Sequence, residues 1–174
     1  MACLLTKGRT EPCKDVVGGI TAVYFADFGT LGDPTYDAVD TDVIDSFGGT
    51  PDWFKFDLKG TSSFEQAITS SRENGTTFVE QTLNLNFKKL SKQTHNEVKL
   101  LAYARPHVIV EDNNGNKFLM GLEYGADVSG GTIVTGAAMA DMSGYTLAFT
   151  GQEKIAANFV DATITADAAN ISDI

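Results

Sequence analysis

The chain has 174 residues, and 13 Lys+Arg against 23 Asp+Glu leave a formal net charge of -10 at neutral pH. With 43% hydrophobic and 21% charged residues it can build a core, which excludes a fully disordered polypeptide, and its length fits one domain with long arms. The acidic balance excludes tight wrapping of nucleic acid or adhesion to anionic lipid, since both need clustered Lys and Arg.

Met1 to Cys13 carries Lys7, Arg9, Glu11 and Pro12 where an export signal needs an uninterrupted apolar run, so no export signal is expected. The charge-free windows Val16 to Ala26 and Val128 to Ala140 are shorter than the roughly 18–20 residues that span a bilayer, and no membrane crossing is expected. Cys3 and Cys13 fit neither a disulfide framework nor a CxxC pair and are expected as reduced thiols. The organisation expected is a single domain over 1–174, with an N-terminal arm (1–19), an acidic loop (27–52) and a C-terminal tail (161–174).

β-branched and aromatic residues bounded by glycines predict a first strand near Ile20 to Phe25. Between Asp27 and Asp52 stand seven Asp and no Lys or Arg among Gly, Pro and Thr, which predicts a long loop or weak strand. Phe54, Phe56 and Leu58 then alternate with charges, the period of a strand with one buried face. From Phe64 to Leu90 two strand-like segments flank Arg72-Glu73-Asn74-Gly75, and Asn-Gly readily takes the positive φ of a tight turn, so a long hairpin is expected. In its return strand Val79, Gln81, Leu83, Leu85 and Phe87 share one face, and Phe78, Glu80, Thr82, Asn84 and Asn86 share the other. That strand would reach about 40 Å, twice the usual length, and its outer face of amides, hydroxyls and a carboxylate suggests a surface that meets something specific.

One helix is predicted over Ser91 to Ala104. Ser91 and Thr94 are both candidate N-caps, Thr94-His95-Asn96-Glu97 fits a capping box, and Val98, Leu101 and Ala102 make one stripe that reaches Arg105 before Pro106 stops the helix. His107 to Glu111 and Lys117 to Tyr124 form a second hairpin through Asp112-Asn113-Asn114-Gly115-Asn116. A third pairs Thr132 to Val134 with Tyr145 to Thr150, and a final strand spans Asn158 to Thr165 ahead of an Ala- and Asp-rich tail with little to pack against. The fold class expected is mainly β, an antiparallel β-sandwich or barrel with a long hairpin and one flanking α-helix.

Chemical signatures are sparse. His95 and His107 lie beside no obvious nucleophile, Asp112 to Asn116 lacks the ligand register of a calcium loop, and the glycine pairs make no phosphate cradle. No enzyme, cofactor or metal site is expected. The charge layout says more: Lys88, Lys89, Lys92, Lys99 and Arg105 surround the helix against Glu97 alone, while the acidic loop offers Asp37, Asp40, Asp42 and Asp45. Such patches are either solvated faces or places where identical subunits meet heterologously.

A long hairpin, a helix and further hairpins ending in Gly-Tyr-Thr-Leu-Ala-Phe-Thr-Gly-Gln-Glu (144–153) resemble the tail-tube fold of tailed bacteriophages, over roughly Ile20 to Val160. Cys13 to Phe25 is also similar to the start of phage virion structural proteins. The resemblance implies a structural virion protein of the phage tail, made in the host cytoplasm. It would self-assemble into hexameric rings stacked as a tube beside other tail proteins, with DNA passing through without specific binding. It also implies that Glu80, Thr82, Asn84 and Asn86 line the channel. The alternatives are a head-tail adaptor or terminator ring protein and, from another class, a β-sandwich carbohydrate-binding or adhesion module using Trp53, Tyr124 or Tyr145 as a stacking platform.

Overall fold

In the computed structural model, which describes residue 5 and residues 7–165, β1 (Ile20–Ala26) is buried along almost its whole length. That continuous apolar run belongs to a strand covered on both faces. Val23 and Phe25 point into one core cluster, whereas Ala22, Tyr24 and Ala26 point into a second.

The fold is mainly β, with two sheets. The strands of the larger one are β1, β2 (Pro34–Tyr36), β3 (Val43–Phe47), β4 (Phe54–Asp57), β7 (His107–Asp112), β8 (Lys117–Met120) and β11 (Phe159–Val160), in the order β2-β3-β11-β8-β7-β1-β4. The smaller sheet has the order β5-β6-β10-β9, from β5 (Ser63–Ser71), β6 (Thr76–Lys88), β9 (Asp127–Val134) and β10 (Gly144–Glu153). Neither sheet closes on itself, so of sandwich and barrel the chain forms two open sheets packed face to face. Phe25 and Val108 from one sheet meet Leu83, Leu85, Leu147 and Phe149 from the other in the main core. Aromatic contacts bind the layers: Phe25 lies 5.4 Å from Phe149, and Phe56 lies 5.5 Å from Phe87.

Several boundaries differ from the expectation. The Asp-rich segment, expected as a long loop or weak strand, holds two short strands, β2 and β3, and Ile44 of β3 is fully buried in the second core cluster. A buried Ile44 with half-buried Val43 and Phe47 is enough to anchor a short strand amid aspartates. The last strand covers only Phe159–Val160 and runs parallel to β3. Beyond it Ala162 is buried and Ile164 lies against the second cluster, while the Ala- and Asp-rich tail that follows, residues 166–174, lies outside the described residues. The strand after the Asp112–Asn116 turn ends at Met120 rather than Tyr124, and β9 begins at Asp127, upstream of Thr132.

The long hairpin joins Ser63–Ser71 to Thr76–Lys88, with Gly75 at φ 64 in its turn. Every second residue from Val79 to Phe87 is buried, as the alternation requires. Lys89 then takes a positive φ of 66 and turns the chain into α1 (Lys92–Tyr103). Ser91 is the N-cap, its hydroxyl oxygen accepting the Thr94 N–H at 3.1 Å. Thr94 is therefore the third helical residue and not a cap, because the reversal at Lys89 lets the helix start one turn earlier. Its hydroxyl accepts from Ser91 Oγ at 2.8 Å. Ser91→Ala should lower unfolding stability by about 1 kcal/mol in urea titration, the usual worth of a lost cap.

A buried polar chain ties the layers together. Gln81 Oε1 of the smaller sheet accepts the Gly121 N–H at 3.0 Å, the Gly121 carbonyl lies 2.6 Å from His107 Nδ1, and His107 Nε2 accepts the Gly29 N–H at 3.0 Å. The ring is thus the neutral tautomer with its proton on Nδ1. Phe28 stacks on it at 5.0 Å, and the Arg105 guanidinium covers the Phe28 ring at 4.6 Å. Burial first, with Arg105 adding to it, pushes the imidazole below its usual 6.5. Because the folded state resists the proton that the unfolded chain accepts, this site stabilises the fold above the unfolded value and loses that contribution as pH falls through the folded one. The urea midpoint should accordingly drop between neutral pH and mild acid, and His107→Phe should flatten that part of the profile while lowering stability throughout.

Candidate assembly surface

Residues opposite one another in an antiparallel pair share a face, so the register defines the outer surface of the smaller sheet. Glu80 pairs with Ala67 and Gln152, Thr82 with Glu65 and Thr150, Asn84 with Ser63 and Ala148, and Asn86 with Thr146. Glu80, Thr82, Asn84 and Asn86 therefore lie together on one polar face, pointing away from the core. Glu80, Thr82 and Asn86 are half-buried and Asn84 is exposed. Asn86 also has an internal role: its Nδ2 donates to the Thr61 carbonyl at 2.6 Å and to the Thr61 hydroxyl at 3.1 Å. Of this face only Lys88, at the end of β6, is cationic.

The sheet ends differ in chemistry. In the larger sheet the edge strands are short, β2 opening with Pro34 and β4 carrying Lys55, both devices that discourage further strand pairing. The smaller sheet ends in β5 and β9, nine and eight residues long, and neither contains Lys, Arg or Pro. Each carries an exposed isoleucine, Ile68 at 71% and Ile133 at 51%. Two long edges without Lys, Arg or Pro, of which β9 has one irregularity against β10 at Ala148/Phe149, are suited to pairing with another chain. These two residues were missed in the sequence, although the absence of Lys and Pro from both segments was readable there.

The charged patches occupy separate places. Lys88, Lys89, Lys92, Lys99 and Arg105 are all exposed around α1. Asp40, Asp42 and Asp45 are exposed on the β2–β3 segment, and Asp37 is half-buried at its base. Asp37 is engaged in the turn, its carboxylate accepting the N–H groups of Val39 at 2.7 Å and Asp40 at 2.9 Å. Those bonds hold its carboxyl below the ordinary range. Asp42 Oδ1 accepts from Asn158 Nδ2 at 2.9 Å. Neither acts as a free surface charge alone.

Other candidates recede. Trp53 and Tyr145 are buried, which leaves Tyr124 as the exposed member of the proposed stacking platform, and Lys154 already lies 5.6 Å over its ring. His95 sits in the first turn of α1, 6.0 Å from the Tyr145 ring. The Asp112 carboxylate is occupied by its own turn, accepting the N–H groups of Asn114 and Asn116, each at 2.8 Å. A shallow groove of about 630 Å³ is lined by Arg105, Tyr124, Asp127 and Lys154. At its floor the Glu153 carboxylate is held by the N–H groups of Glu123 and Tyr124. Among the described residues no three His, Cys, Asp or Glu converge to hold a metal ion, and no helix is long and apolar enough to cross a membrane. Comparison with protein-family models, with curated proteins and with solved structures found no match to this chain.

Proposed function

We propose that the chain is a structural subunit that assembles with copies of itself into rings stacked as a tube, in the manner of a phage tail tube, with no chemistry of its own. The observation that carries this is the contrast between sheets: the larger ends in Pro- and Lys-guarded strands, and the smaller in two long unguarded ones. Adjacent strands in the order β5-β6-β10-β9 are antiparallel, so β5 and β9 run in opposite directions. Rotation about a ring axis preserves strand direction, and β9 of one copy would meet β5 of the next as an antiparallel pair. A closed cylinder of this kind leaves no edge exposed.

Size supports the same reading. Six copies of a four-stranded sheet make about 24 strands, and at ~4.8 Å spacing and ~40° tilt the backbone cylinder is roughly 50 Å across. Side chains narrow that bore but leave room for a nucleic-acid duplex. With Glu80, Thr82, Asn84 and Asn86 turned inward, the wall is poor in Lys and Arg, so phosphates passing along it release few counterions and do not stick. In this reading the protein belongs to the virion tail, beside other tail proteins. A head-tail adaptor or terminator would use the same edges in a single ring. Electron microscopy of the purified protein separates these: tubes support the proposal, discrete rings the adaptor, and lone particles at high concentration neither.

A further inference from the structure

We infer that the turn between β2 and β3 of one copy docks on the exposed stripe of α1 of a second copy, a contact that rests on the self-assembly proposed above and lies apart from the sheet edges. The turn is built before anything binds. Besides the two bonds to the Asp37 carboxylate, the Asp37 N–H donates to the Val43 carbonyl and the Val43 N–H to the Asp40 carbonyl, both at 2.9 Å. The Asp42 carbonyl at its base accepts the Phe159 N–H at 3.2 Å. At the apex of this braced loop Val39 is 84% exposed, with the acid Asp40 next to it. A rigid turn that holds a branched apolar side chain in water is preorganised for docking, since little ordering remains to be done on contact.

The receiving surface is the outward side of α1. Thr94, Val98 and Leu101 face the protein, and Lys92, Asn96, Lys99 and Tyr103, spaced by four, three and four residues, make the opposite stripe. Leu100 flanks that stripe at 59% exposure and Tyr103 is 94% exposed. The helix therefore offers two lysines around an apolar patch, and the turn offers exposed Asp40 beside Val39, with exposed Asp45 further along in β3. Sign and apolarity both match, and one chain carries the two halves at equal stoichiometry. Both halves are exposed in the single chain, so the turn does not dock on its own helix. The two halves differ, so the contact is heterologous and propagates from copy to copy, as rings and stacks require.

The test is sedimentation of wild type, Val39→Asp, Lys92→Glu/Lys99→Glu, Asp40→Lys, Lys99→Glu and the Asp40→Lys/Lys99→Glu pair, with circular dichroism confirming that each folds. Val39→Asp and the double lysine variant should each raise the concentration of half-assembly at least about tenfold, as loss of a central anchor does. Asp40→Lys and Lys99→Glu should each weaken assembly, and their combination should recover most of it. Assembly unaltered by Val39→Asp and by Lys92→Glu/Lys99→Glu overturns the inference while leaving the tube intact. So does weakening by both single charge reversals with no recovery in the pair. A wild type that stays monomeric at every concentration overturns both.

Discussion

Ile68→Lys combined with Ile133→Lys should leave a folded protein that sediments as an 18.6 kDa monomer at concentrations where the wild type is assembled. The two isoleucines are already exposed at 71% and 51%, and substitutions at such positions usually shift stability by no more than about 0.5 kcal/mol. The cost falls instead on pairing. A lysine on each unguarded edge would have to be buried against a neighbouring strand, and natural sheets use lysine at this place to forbid that outcome. Each contact would join β9 of one copy to β5 of the next, so either single variant puts a lysine into every contact and should by itself weaken assembly. Native mass measurement with a thermal melt reads both consequences at once. If the double variant still forms tubes, the edges of the smaller sheet are not the contact.

Phe149→Ala should show the opposite pattern, with unfolding stability lower by about 3–5 kcal/mol. Phe149 is fully buried opposite Leu83 in the smaller sheet and touches Phe25 of the larger one, so it spans the seam between layers. Removing the ring forfeits transfer energy and leaves a cavity that two sheets pinned by their own ladders cannot collapse into. In a domain of this size such a loss lowers the melting temperature by roughly 6–20 °C. Subunit contacts stabilise only the folded state, so the melting temperature of the assembled wild type should rise with protein concentration. That dependence should vanish in the edge-lysine variant and persist in Phe149→Ala.

Local patterns carried much of the architecture. Alternation along Val79 to Phe87, the Asn74-Gly75 turn and Pro106 after a helical stripe are short-range signals, and the hairpin and helix appear where they point. The Asp-rich segment left loop and weak strand open because composition averaged over 26 residues hid three apolar side chains, Val43, Ile44 and Phe47, that suffice to seat a strand once a neighbour exists. The helix start left two hydroxyl residues three apart as candidate caps, and the structure selects Ser91.

By itself, the order of residues determined the long hairpin with its buried and polar faces, the single helix after it, and that the molecule carries opposite charges in different places. These follow from side-chain period and turn chemistry, which are properties of a few neighbouring residues. Only the tertiary structure decided that β5 and β9 are edges, that Pro34 and Lys55 guard the other sheet, and that His107 joins a buried polar chain that Gln81 carries to the smaller sheet. An edge is defined by the strand that is not beside it, and a buried histidine by carbonyls and amides distant in sequence. Such facts exist only when the whole chain has chosen its neighbours.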